Sequence, residues 1–140
     1  MAQAPQIAHR YSEDEERYSV TWAEVDAELE LAQMYWITSL QDGVPHSVPV
    51  IGIWFENALY SCNPRSEQKY KNLQDNPVCQ ALIGSNQMNS GLSVAVHGYA
   101  EEMTQMEDRL RFGKQMAEKY PLPWRFVGTE EDMWVYRIVP

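Results

Sequence analysis

The sequence predicts a mainly β (α+β) domain, a six-stranded antiparallel barrel with helices packed around it as plugs. Three observations predict it. Short runs of β-forming residues recur along the chain, several joined by turn pairs such as Asp42-Gly43 and Glu56-Asn57. Helical periodicity is confined to three separate stretches. The 140 residues, 44% hydrophobic and 22% charged, suit a single globular core. A chain of this length buries roughly two-thirds of its unfolded surface.

Residues 1–20 are polar, with SEDEER at 12–17, and read as a loose arm ahead of one domain over 21–140. Thr21 and Glu24 form a capping box for a helix over about 22–32, with Trp22, Val25 and Leu29 on one face. Met34 to Leu40 is rich in β-formers and leads through Asp42-Gly43 into a strand over about 44–55. Pro45 and Pro49 interrupt that strand, so it belongs at an edge, a bulge or a split in the sheet. Its residues Val48, Val50, Ile51, Ile53, Trp54 and Phe55 are apolar on both sides, which predicts burial by dimerisation. Ala58–Cys62 is the next strand, then a loop and a helix over about 67–75 that Asn76-Pro77 stops. Val78–Gly84 reads as a buried strand and Leu92–Met103 as a long one. Thr104 and Glu107 suggest a second capping box for a helix over about 105–119, whose Met106, Leu110, Gly113 and Ala117 share a stripe. Met133–Val139 is the last strand.

Charge is distributed unevenly. The formal net charge is −9, yet Arg65, Lys69 and Lys71 lie within seven residues, beside one acid, Glu67. Ser66 is a good N-cap, but the position where a capping box wants Glu or Gln holds Lys69. A cation in the first turn opposes the helix dipole unless an anion binds there. Backbone N–H groups at a helix start with lysines nearby make an anion site, and a solvated surface helix is the plainer alternative.

The acidic balance argues against nucleic-acid binding, which calls for a basic face. Cys62 and Cys79 fall in no zinc or CxxC spacing and suit a reducing interior. No apolar stretch approaches membrane-spanning length and no signal-peptide core is visible, so the cytoplasm is the expected location. No paired carboxylates, Ser/His/Asp set or metal cluster stands out.

The ordered set YWITSLQDGVPHSVPVIGIWFENALYSC, KYKNLQDNP, GLSVAVHGYAEEMT, KYPLPW and MWVYRIVP resembles the pyridoxamine 5′-phosphate oxidase-like family, the flavin-binding split barrels, over roughly residues 22–140. Asp42-Gly43-Val44-Pro45-His46 and Lys69-Tyr70-Lys71-Asn72-Leu73 stand where that family carries its Asp-Gly-x-Pro-His and Lys-x-Arg-Asn-Leu patterns. The resemblance implies a homodimer with FMN, or the deazaflavin F420, held at the subunit interface. It implies that Lys69, Lys71 and Ser61 hold the phosphate with Cys62 alongside, that Asn72 supports them, and that the backbone from Val48, Pro49 and Val50 to Trp54 runs along the ring. Valine at 48 and glutamine at 68 replace basic residues of the true pyridoxamine phosphate oxidases, which points to the shorter FMN- or F420-using relatives.

His46 reads first as a structural histidine and second as a proton donor beside a flavin. His97 reads as a strand histidine, and Cys62 as a packed thiol. Trp54, Trp124 and Trp134 are core or interface material before they are ring stackers, with Trp124-Arg125 the best placed for a substrate or partner. Met103, Met106 and Met116 read as core filling.

The expected function is therefore a flavin-dependent oxidoreductase that passes a hydride to a small organic substrate. The cofactor carries the chemistry, so the missing acid–base set fits. A flavin- or tetrapyrrole-binding carrier or sensor without turnover, and an acidic dimeric interaction module, are the alternatives.

Overall fold

The computed structural model describes residues 20–88, 90–121 and 131–140; the arm at 1–19 and Trp124-Arg125 lie outside the described residues. The order is α1 (Trp22–Leu31), β1 (Tyr35–Gln41), β2 (Val44–Val50), β3 (Ile53–Phe55), β4 (Ala58–Pro64), α2 (Gln68–Asp75), β5 (Val78–Ile83), β6 (Val94–Glu102), α3 (Met106–Lys119) and β7 (Met133–Val139). All pairings are antiparallel, in a curled seven-stranded sheet ordered β2-β1-β5-β6-β7-β4-β3.

Seven strands replace the expected six because the stretch 44–55 breaks at Ile51-Gly52. Its two halves go to opposite edges, β2 on β1 and β3 on β4. The prolines explain the first half. Asp42 (φ 51°) and Gly43 (φ 79°) form a two-residue turn closed by the pair Gln41–Val44. Antiparallel alternation then puts Pro45, Ser47 and Pro49 at positions whose backbone groups point away from β1. The open edge therefore offers carbonyls but only one N–H, that of Ser47. Glycine explains the break itself, since a Cβ on Gly52 would meet the Tyr60 carbonyl oxygen at 2.6 Å.

Two apolar layers flank the sheet. Inside the curl, Val25 and Leu29 of α1 and Leu73 of α2 pack on Tyr35, Ile37, Leu59, Ala81, Trp134 and Tyr136. On the other side, Phe112 and Met116 of α3 pack on Ile53, Tyr60 and Val135. The Thr21–Glu24 capping box forms as expected. The other two helix starts differ. Glu67 and Gln105, not Ser66 and Thr104, are the N-caps, and neither makes a side-chain cap bond. The α3 stripe is also shifted: Met106 and Leu110 are about half exposed, and Phe112 and Met116 form the buried face. Of the three methionines read as core, Met116 is fully buried, Met103 packs at the edge of the second layer and Met106 does not pack.

A polar knot clasps the break. Lys119 Nζ donates to the Gly52 carbonyl (3.0 Å) and to Tyr35 Oη (3.1 Å), and Tyr35 Oη donates to the Leu29 carbonyl (2.5 Å). Tyr120 Oη accepts from Gly52 N–H (3.0 Å) and lies 2.8 Å from the Gly52 oxygen. Nearby, Trp54 Nε1 donates to Asp26 Oδ1 at 2.5 Å and ties β3 to α1. Among the described residues no helix is long and apolar enough to cross a membrane.

Two outcomes follow from this packing. A Cβ on Gly98 would lie 2.1 Å from the Val139 carbonyl oxygen, a backbone atom that cannot step aside. Gly98→Ala should cost about 1–3 kcal/mol or more in chemical denaturation. Burial lowers the Lys119 pKa from 10.5 to about 8, opposed by the weaker pull of Glu30. Between those values the folded chain binds fewer protons at Lys119 than the unfolded chain, so stability should rise with pH there. The buried Tyr35 phenol, raised above its ordinary 10.0, reverses the trend at higher pH. The denaturation midpoint should therefore climb from pH 8 toward 10 in the native chain, and Lys119→Met should remove that climb.

Candidate functional site

The loop after β4 and the first turn of α2 hold the cations singled out by the sequence. Their surroundings differ sharply. Arg65 donates to Glu102 Oε1 (2.5 Å) and to Tyr70 Oη (3.2 Å), and its guanidinium lies over the Tyr70 ring. Lys71 is exposed. Lys69 is buried, only 4% exposed, and its ammonium donates to Glu67 Oε2 at 3.2 Å. Glu67 is the N-cap of α2 and is itself 47% exposed on its side chain.

Lys69 is buried because α2 lies against the sheet. Its buried face is Lys69, Asn72 and Leu73, three to four residues apart as one helical face requires. Leu73 enters the inner core, and Asn72 Nδ2 donates to the buried Ser39 Oγ on β1 at 3.1 Å. Gln68 Nε2 donates to Asn72 Oδ1 at 2.8 Å, so both ends of that amide are engaged. Asn76 stops the helix in extended geometry before Pro77 (φ −140°, ψ 107°), as expected. Tyr70 N–H donates to the Glu67 carbonyl at 3.1 Å, and no side chain caps α2, so an anion at this helix start would meet the amides of Gln68 and Lys69.

The other predicted site residues are dispersed. Ser61 is fully buried and donates to the Ile51 carbonyl at 2.8 Å, which ties β4 to the chain break. Its neighbour Cys62 points the opposite way and packs against the α3 layer. Val48 is half-buried and Pro49 exposed on the β2 edge, whereas Val50 is buried in the inner core. Trp54 is buried on the far edge of the sheet, so the stretch from Val48 to Trp54 is not one continuous strand. The structure thus brings Lys69 and Asn72 together on one helix face and separates Cys62 and Trp54 from them.

Several inner-layer groups are unusual. Asn63 Oδ1 and Trp134 Nε1 are buried without a hydrogen-bond partner, on residues paired across β4 and β7. Trp134 stacks on Tyr136 with ring centroids 4.0 Å apart, which makes it core. Burial raises the Tyr136 phenol well above its ordinary range, an effect the Ser61 hydroxyl partly offsets and the Glu67 charge adds to. Burial likewise pushes the Cys79 thiol up to about 12, so it is a packed, unreactive group. His97 Nε2 lies 3.0 Å from Gln80 Oε1 across the β5–β6 pair, the strand role expected of it. His46 Nδ1 is buried without a partner.

Two of the clefts on the described surface are lined without Lys69. One, of about 220 Å³, is polar and includes Glu56, Glu101, Glu102, Asp108, Arg111 and Arg137. The other, of about 270 Å³, is formed by Glu30, Ile53, Trp54, Phe55, Gln115 and Lys119. Residue-type reasoning missed Glu67 and Glu102 as partners of the loop cations. Glu102 is 37 positions from Arg65, and only sheet pairing brings it near. Glu67 was visible as an adjacent acid, but its contact with Lys69 depends on the N-cap falling at 67.

No protein-family model matches the chain, and no curated protein matches it. Solved structures do. A candidate pyridoxamine 5′-phosphate oxidase from Listeria innocua aligns with a TM-score of 0.70 at 21% identity, over 84% of this chain and 91% of its own. An FAD-binding protein from Mesorhizobium loti aligns with a TM-score of 0.68 at 18% identity, over 86% and 89%. The haem storage protein HutZ from Vibrio cholerae aligns with a TM-score of 0.72 at 12% identity, over 85% and 89%. Identities this low are a likeness of fold: the chain has the fold of the pyridoxamine 5′-phosphate oxidase-like and flavin-binding split barrels, the architecture its sequence resemblance implies.

Proposed function

We propose that this protein is a flavin-binding oxidoreductase of the pyridoxamine 5′-phosphate oxidase-like kind, using FMN, with F420 as the alternative cofactor and a small organic molecule as substrate. One observation carries the reading. In a chain of net charge −9, an ammonium is kept 4% exposed at an uncapped helix start. Burying a lysine is costly, and a second anion such as a phosphate gives that burial a purpose.

The residues present fit a phosphorylated ring cofactor. The Lys69 ammonium and the amides of Gln68 and Lys69 would take the phosphate, with Lys71 adding charge from the exposed side. Asn72, fixed between Ser39 and Gln68, keeps the helix seated so that Lys69 holds its place. The carbonyls of Pro45, Ser47 and Pro49 and the Ser47 N–H, all turned away from β1, are groups that suit the polar edge of a flavin ring. A bound flavin would supply the hydride or electron chemistry that the chain itself lacks.

The dimer belongs to the same proposal. The outer face of the sheet carries Pro49, Trp36 and Leu82 in one cross-strand row, with Pro45 and Leu40 beyond the polar row of Ser47, Thr38 and Gln80, and among the described residues no helix covers them. Trp36 is 48% and Leu82 38% exposed, an apolar row of the kind a subunit covers. A second copy would also close the open side of the phosphate site. The likeness to a haem storage protein favours a second reading, a carrier that binds a ring cofactor without turnover.

Titration with FMN and F420, followed by stopped-flow reduction, separates these readings: a bound flavin that no donor reduces would support the carrier. Lys69→Ala should weaken FMN binding by about tenfold or more, as loss of a charge-assisted bond does. Unchanged affinity would remove Lys69 from the site. Sedimentation should give a dimer, and Trp36→Arg with Leu82→Glu should yield a folded monomer that binds FMN poorly.

A further inference from the structure

The pair Glu67–Lys69 has an asymmetry that bears on how a phosphate would enter. The ammonium is 4% exposed and cannot follow a ligand outward, whereas the carboxylate is 47% exposed and can swing into water. Glu67 makes no cap bond that would hold it in place. An exposed carboxylate regains most of its hydration when it leaves, so the cost of opening falls on Lys69, which needs a replacement anion at once. The Glu67 charge also reaches inward, where it helps raise the Tyr136 phenol.

We infer that Glu67 is a built-in stand-in for the cofactor phosphate: it neutralises Lys69 in the empty protein and must be displaced when the phosphate binds. The inference rests on the flavin reading above. Glu67 then selects for the phosphate, because only a ligand with a stronger anion than a carboxylate can take its place. A flavin lacking the phosphate leaves the Glu67–Lys69 pair intact and gains nothing from it. The same residue sets a threshold on affinity, since binding begins by breaking an ion pair.

The test compares Glu67→Gln with the native chain, using FMN and riboflavin as probes. FMN should bind the variant about tenfold tighter, while riboflavin affinity stays unchanged. Without ligand the variant should melt a few degrees lower, since Lys69 loses its partner, and saturating FMN should raise its melting temperature more than it raises that of the native chain. Glu67→Ala should behave the same way and guards against an effect peculiar to glutamine. If the native chain binds FMN and the variants bind it equally or more weakly, the stand-in role is wrong and the flavin reading stands. If FMN and riboflavin affinities change by the same factor, Glu67 acts on packing and the inference also fails. If neither the native chain nor the variants bind FMN or F420, both the flavin reading and this inference are overturned.

Discussion

The architecture depends on the chain leaving the sheet at Ile51-Gly52. A strand that continued through this point would make β3 an extension of β2 on one margin, and β4 would lose its edge partner. Instead the backbone crosses from one margin to the other. It is held there by contacts that accept only glycine at 52 and by the end of α3, where Lys119 donates to the Gly52 carbonyl and Tyr120 accepts from the Gly52 N–H. Ser61 reaches the same crossing from β4. Buried backbone groups that leave a ladder must find partners elsewhere. Here a lysine, a tyrosine and a serine supply them, which is why a short polar cluster sits in the middle of an apolar fold.

The crossing also sets where other groups can act. Because β2 lies at the margin, its outward carbonyls are unpaired by β1, and two prolines deny a neighbouring strand most of the donors it would need. Because the sheet curls, α2 can lay one face on the inner layer, and that face includes a lysine. The proposed site would therefore draw on an edge that resists strand pairing and a helix whose start lacks a side-chain cap.

Electrostatics within the loop were only half visible from composition. A cluster of Arg65, Lys69 and Lys71 reads as a surplus of positive charge. In the folded chain Glu102 takes Arg65 and Glu67 takes Lys69. What distinguishes Lys69 from the others is burial, and burial is decided by which helical face meets the sheet. The lysine at 69 and the asparagine at 72 share that face, whereas Lys71 lies on the other side.

Local rules sufficed wherever neighbours in sequence interact with one another. The Thr21–Glu24 capping box, the Asp42-Gly43 and Glu56-Asn57 turns, the stop at Asn76-Pro77 and the edge position of the proline-bearing strand were all readable, because each is settled within four or five residues. Tertiary packing decided the rest. The seventh strand arises at a crossing where the Tyr60 carbonyl and Leu59 leave room only for glycine and where Lys119 and Tyr120, distant in sequence, bond its backbone. The buried face of α3 shifts to Phe112 and Met116 because the sheet offers a pocket for a large aromatic side chain, and alternative stripes of similar hydropathy are equal until that surface exists. Glu67 and Glu102 become counter-ions only once strand pairing and the N-cap position fix their distance. Sequence by itself determined most of the elements and their turns, since those are short-range, and the fold decided where one strand divides and which charges are buried, since both depend on surfaces that meet.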